Sequence, residues 1–262
     1  MKAKKFPTGA NLFAIQVLFV SLFIFSLCPL LPLTAQDAVI LKDGSRREGT
    51  VLGLADNVVR LETDVAGRGK IQATVPVAEV KEIRMEVPAA LEKATELRKA
   101  GKNAEAVAVL EPVVKQFIGL PVEWIQRATL MLVDAQIESQ KVADAEQILV
   151  SYQKAYPDDS SAIGLIRAKV AAGKGNLLGA RPLISPVIEA AKATKIPTTS
   201  QGVLFGQAYY LMGQINENEK KFANALQDYL FASTIFFTDE PTAAKASVRA
   251  DKLIKEYNVN VP

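Results

Sequence analysis

Four alanines, Ala106, Ala145, Ala180 and Ala225, sit in one recurring frame, at spacings of 39, 35 and 45 residues. Each is followed four residues later by a large side chain: Leu110, Leu149, Ile184 or Tyr229. Each is preceded five residues earlier by a residue suited to a turn: Gly101, Gln140, Gly175 or Lys220. A small residue just after a turn, with a large one a helical turn further on, marks two helices that fold back and cross tightly. Its recurrence predicts stacked helical hairpins, an architecture that builds surfaces for holding other proteins. The frame thus predicts binding or scaffolding and leaves the bound partner open.

The frame begins only after Pro88. Residues 37–87 alternate like strands instead. Segments 38–41, 49–53, 58–63, 71–77 and 81–87 are the expected strands. The turns between them are Lys42-Asp43-Gly44, Gly67-Arg68-Gly69-Lys70 and Ala78-Glu79-Val80. Five short strands are expected to curl into a small barrel, because closure covers their edges. The predicted fold is therefore α+β and multidomain. A five-stranded β-barrel over 37–87 precedes an all-α helical-hairpin solenoid over 88–257, whose last helix, 241–257, covers the apolar end of the stack. The stretch from Lys192 to Gln201, with Pro197 and a Thr-Thr-Ser run, is expected as an extended loop.

Residues 1–35 have the layout of a secretory signal. Lys2, Lys4 and Lys5 start it, 12–27 is almost wholly apolar, and Leu33-Thr34-Ala35 offers a cleavage site. Retention as a membrane anchor is the alternative. Lipidation at Cys28 is disfavoured by Leu27, since lipoprotein signals want a small residue there. Those three lysines account for the whole net charge of +3, so the exported chain is neutral. Neutrality argues against nucleic acid or anionic membrane as partners. Cleavage also removes Cys28, the single cysteine, so no intrachain disulfide is expected.

Little in the sequence carries chemistry. The chain has no histidine, hence neither the commonest general base nor the commonest zinc ligand. Gly67-Arg68-Gly69-Lys70 and Gly173-Lys174-Gly175 lack the spacing and the Ser/Thr of a phosphate-binding loop. Asp158-Asp159 and Asp239-Glu240 are expected at helix starts as caps. Tyr209, Phe222, Tyr229, Phe236 and Phe237 are expected to fill the seams between hairpins, and Trp124 the core or a groove rim. No catalytic, cofactor-binding or metal-ligating residue is predicted.

The helical frame resembles the tetratricopeptide repeat. The last unit carries it best, with Tyr209, Met212, Gly213, Phe222, Ala225, Tyr229 and Ala232 in register and Asn216 in place of the family's tyrosine. The other units keep Ala94, Gly101, Ala106 and Leu110; Leu132, Ala145 and Leu149; and Ala168, Gly175, Ala180 and Ile184. Pro182 and Pro186 fall in or near the third unit's second helix.

The resemblance implies that the inner helices line a groove for an extended segment or helix of a protein partner. The inward places would hold Arg98, Arg127, Asp134, Lys169, Tyr210 and Gln214. The family's lysine/asparagine carboxylate clamp is absent. The last unit is also similar to repeats of cell-envelope coordinators of the Tol–Pal type and of outer-membrane assembly lipoproteins, which implies a periplasmic or outer-envelope role. Membrane contact would then come only through an uncleaved signal or an envelope partner.

The β segments, through "LKDG", "REGTV", "NVVRLET" and "ATVPVAEVKEI", resemble SH3-like and Sm-like barrels. The Sm-like likeness implies a nucleic-acid-binding oligomer, against which stand eight basic and nine acidic residues in 37–86. A hydrolase with spatially assembled carboxylates is the third reading. The leading expectation is an exported, non-enzymatic, protein-binding scaffold.

Overall fold

The computed structural model describes residues 36–65 and 69–259. The expected signal, its cleavage site and Cys28 lie outside the described residues, as do Ala66, Gly67 and Arg68 of the expected turn.

Six strands precede the helices among the described residues: β1 (Ala38–Leu41), β2 (Arg46–Glu48), β3 (Thr50–Ala55), β4 (Val58–Val65), β5 (Gly69–Pro76) and β6 (Val80–Arg84). They form two three-stranded antiparallel sheets, ordered β2-β1-β6 and β3-β4-β5, where the sequence predicted five strands in one closed barrel. The additional strand, β2, is Arg-Arg-Glu and exposed throughout. It has no apolar alternation, so periodicity could not reveal it. Gly49 separates β2 from β3, and a Cβ there would lie 2.5 Å from the Glu62 carbonyl oxygen. In β4 the alternation holds: Val59 and Leu61 are fully buried, while Arg60 is exposed.

Nine helices follow among the described residues: α1 (Ala89–Lys99), α2 (Asn103–Phe117), α3 (Glu123–Glu138), α4 (Val142–Ala155), α5 (Ser160–Gly173), α6 (Leu177–Ala193), α7 (Thr199–Asn218), α8 (Phe222–Leu230) and α9 (Glu240–Tyr257). A π-helical turn, Phe231–Ile235, extends α8.

The turns joining α1–α2, α3–α4, α5–α6 and α7–α8 are built alike. Gly101, Gln140, Gly175 and Lys220 all take the left-handed conformation, with φ of 72°, 62°, 83° and 61°. After each, the next residue's N–H reaches back five residues: Lys102 to Leu97, Lys141 to Gln136, Asn176 to Ala171 and Lys221 to Asn216. This is the glycine-type helix stop, which satisfies carbonyls that the ending helix leaves free. Ala106, Ala145, Ala180 and Ala225 are all fully buried in the helices that start there.

α6 runs through both Pro182 and Pro186. The expected loop at 192–201 shrinks to 194–198, because Thr198 and Gln201 form a reciprocal capping box that starts α7 early. Ser200 then docks on α3: its N–H donates to a Glu123 carboxylate oxygen (2.8 Å) and its hydroxyl to the Glu123 carbonyl (2.9 Å). Trp124 is core, edge-on to Phe117 at 5.4 Å. Phe237 departs from the expected seam filling and is exposed, whereas Tyr209 and Tyr229 are buried.

Both sheets and the helices share one continuous apolar core. The seam between them is tight at β3 and α2. Gln116 donates to the Leu52 carbonyl (3.0 Å), and a Cβ on Gly53 would lie 2.4 Å from the Gln116 carbonyl oxygen. Gly53 also has a φ of 124°, so only glycine fits there.

In a linear solenoid each unit touches only its neighbours. Here α3 also packs on α7, and α9 packs on α1 as well as on α7 and α8. The last helix, expected to cover the end of the stack, thus packs on the last hairpin and also reaches the first.

Candidate functional site

The first helix of each hairpin brings one polar group to a common centre, and the start of α9 brings two. Arg98 on α1 donates to Asp134 on α3 (3.1 Å) and to Asp239 at the start of α9 (3.2 Å). Lys169 on α5 pairs with Asp134. Its ammonium also donates to the Gln207 side-chain oxygen on α7 (2.7 Å), and the Gln207 amide passes a bond on to Asp239 (2.7 Å). The Thr242 hydroxyl completes the set by donating to Asp239.

Two cations and two anions thus balance inside the molecule. Arg98, Lys169, Gln207, Asp239 and Thr242 are all buried. Burial pushes the Lys169 ammonium down from its ordinary range, against the pull of Asp134. For Asp239, burial alone would raise the carboxyl, but Arg98, Gln207 and Thr242 outweigh it and hold the group below the usual carboxylate range. The Arg98 guanidinium is likewise desolvated, yet Asp239 and Asp134 keep it above its ordinary value. Expected as a helix cap, Asp239 is spent on this network, whereas Asp159 does cap α5, accepting from the Ala162 N–H (3.1 Å).

Beside the network lies a cavity of about 680 Å³ between α3, α5, α7 and α9. Asp134, Lys169, Tyr210 and Gln214 line it, four of the six residues expected to face a groove. Arg98 is buried behind it, bonded to its wall through Asp134. Arg127, on the N-terminal half of α3, is outside its lining and half-buried. Arg98 and Lys169, both expected to face the groove, are buried. Their charge is matched by acids from other helices, a pairing that spacing along one helix cannot reveal.

The cavity walls are braced by ion pairs between different helices: Lys169–Asp134, Lys245–Glu138 and Arg249–Glu217, the last at 3.1 Å. Glu217 also accepts from the Tyr229 hydroxyl (2.7 Å). Ile137, Ala172, Leu177 and Leu211 supply apolar surface between them. Burial raises the Tyr210 phenol, which the nearby Arg249 partly offsets. Sequence reasoning missed Glu138, Glu217, Lys245 and Arg249. The last two belong to α9, for which the sequence implies only a cover for the stack. Such a lining can hold a segment of mixed polarity, with paired charges as exchangeable partners at the rim and apolar surface between them.

Among the described residues no group of three or more His, Cys, Asp or Glu is placed to hold a metal ion, and no helix is long and apolar enough to cross a membrane. Comparison with protein-family models, with curated proteins and with solved structures found no match.

Proposed function

We propose that this chain is an exported, non-enzymatic scaffold that holds a protein or peptide segment in the α3–α5–α7–α9 groove, working in the cell envelope. The observation that carries the reading is the convergence of Asp134, Lys169, Tyr210 and Gln214 on one cavity. The resemblance to the tetratricopeptide repeat assigns these positions to inner helices, which in that family grip partners. Four hairpins with a common turn geometry support that register. Each carboxylate of the groove is engaged by a cation, which suits it to exchange partners with a bound segment more than to general acid–base work. The envelope setting rests on the layout of residues 1–35 and on the likeness of the last unit.

The test places a photo-crosslinking residue at Gln214, in the groove, or at the exposed Lys154 on α4, and recovers adducts from the native envelope. A discrete adduct at Gln214, absent at Lys154 and lost on Tyr210→Ala, is expected. Identical adducts at both positions contradict the groove. N-terminal sequencing of the same material should begin at Gln36 or Asp37, and a start at Met1 contradicts cleavage of the leader.

A further inference from the structure

A second cavity, of about 530 Å³, opens on a different face of α7, between α6, α8 and the π turn. Its size suits a small ligand or a single side chain. One wall is aromatic. Tyr209 stacks on Phe231 at 4.9 Å and on Phe236 at 5.5 Å, the ring planes inclined by 28° and 10°. The π turn makes this possible: the Phe236 N–H bonds the Phe231 carbonyl five residues back (2.9 Å). An α-helix would turn the two phenylalanines well apart, whereas the wider turn lets both reach Tyr209. Gly206 lets α7 approach this turn, since a Cβ there would lie 2.3 Å from the Phe236 carbonyl oxygen.

Asp228 also lines the cavity. It accepts a bond from the neutral Asn216 amide (2.6 Å), whose own oxygen is held by Arg181 (2.7 Å). Arg181, Glu189 and Lys192 on α6 and Tyr209 on α7 are the charged and titratable groups that face it. Both cations are already engaged, Arg181 with Glu219 (2.9 Å) and Lys192 with Glu189 (2.8 Å). Among the described residues Asp228 is thus a half-buried carboxylate without an ion pair of its own, a costly state unless a cation arrives. Burial pushes its carboxyl up to about 6, although Asn216, Arg181 and Lys192 pull the other way.

We propose that this cavity binds a primary ammonium group on an apolar stem, with Asp228 as counter-ion and the Tyr209, Phe231 and Phe236 rings as its apolar and cation–π wall. The ammonium belongs either to a free small amine or to a lysine side chain of another protein. The site is separate from the groove and does not depend on it.

Titration calorimetry of the purified chain tests this with three probes: phenethylammonium, the neutral isostere 2-phenylethanol, and Nα-acetyl-lysine amide. Phenethylammonium should bind at least tenfold tighter than the alcohol, and its affinity should fall as pH drops below about 6, where Asp228 loses its charge. Asp228→Asn, with its circular dichroism unchanged, should weaken the amine at least tenfold, and Phe231→Leu several-fold. Glu105→Gln, exposed on α2 and outside the cavity lining, should leave it unchanged. An acetyl-lysine amide that binds as tightly as phenethylammonium assigns the site to protein lysines, and a much weaker one to free amines. Equal binding of amine and alcohol, an unaffected Asp228→Asn, or no binding of either amine at millimolar concentration overturns the proposal. If Asp228→Asn fails to fold, the amine-to-alcohol ratio in the unaltered chain decides alone.

Discussion

Ala225 is fully buried at the crossing of α7 and α8, four residues before the equally buried Tyr229. Leucine there overfills a packed interior, and the expected loss is ~1–3 kcal/mol, read from denaturant unfolding. Asp228 tests the opposite case, a native residue that weakens its own fold. Its carboxyl is raised from 3.8 to about 6, so the folded state holds its proton more tightly than the unfolded chain. The penalty is absent below about pH 4, grows across the window up to about 6, and is complete above it. Asp228→Asn keeps a partner for Asn216 and should stabilise the chain by ~1–3 kcal/mol at pH 7.5 and by nothing near pH 4. Equal stability changes at both pH values would contradict the burial of this group. The sequence hinted at this spot only through Asn216, which stands where the repeat family carries tyrosine. What that asparagine bonds was not legible, because Arg181 and Asp228 reach it from separate helices.

At the scale of elements, the hairpin turns were the most legible part of the chain, because their causes are local. Gly101 and Gly175 announced left-handed turns by their identity, and the buried alanines five residues on announced the crossings. Gln140 and Lys220 adopt the same backbone without glycine's freedom, at φ of 62° and 61°. Lys220→Gly and Gln140→Gly should therefore each stabilise by ~0.5–1 kcal/mol, while Gly175→Ala should cost about 1 kcal/mol. A melting series that ranked these variants the other way would contradict the shared turn geometry. The strands were less legible. β2 is all charged and polar, and its partner β1 is chosen by sheet pairing, which no alternation within Arg46–Glu48 encodes. The seam of β3 on α2 depends on Gly53 meeting Gln116, 63 residues later, so two regions with separate patterns gave no sign of sharing a core. Removing residues 37–86 should nonetheless leave a helical fold of lower stability, since the hairpins carry their own buried centre. A remainder without helical circular dichroism would contradict that.

The whole molecule is tied by contacts too distant in sequence for any local pattern, above all Arg98 to Asp239, 141 residues apart. Arg98→Met strands Asp239 and Asp134 with less positive charge and should cost ~3–5 kcal/mol. Lys99→Met breaks a neighbouring but exposed pair with Glu240 and should cost under about 1 kcal/mol. Asp239 adds a pH signature. Its carboxyl is lowered in the fold, so its contribution is complete above about 3.8 and disappears as pH falls through the lower folded value. Closure of α9 on α1 is the claim on which the groove rests, because α9 supplies Thr242, Lys245 and Arg249 to its wall. Cysteines at positions 99 and 240, in a chain freed of Cys28, test it directly with a short bismaleimide at low protein concentration. A rapid, intramolecular cross-link that is abolished by denaturant is the predicted result. Free thiols that react only singly, or only between molecules, would mean an open stack and would contradict the account.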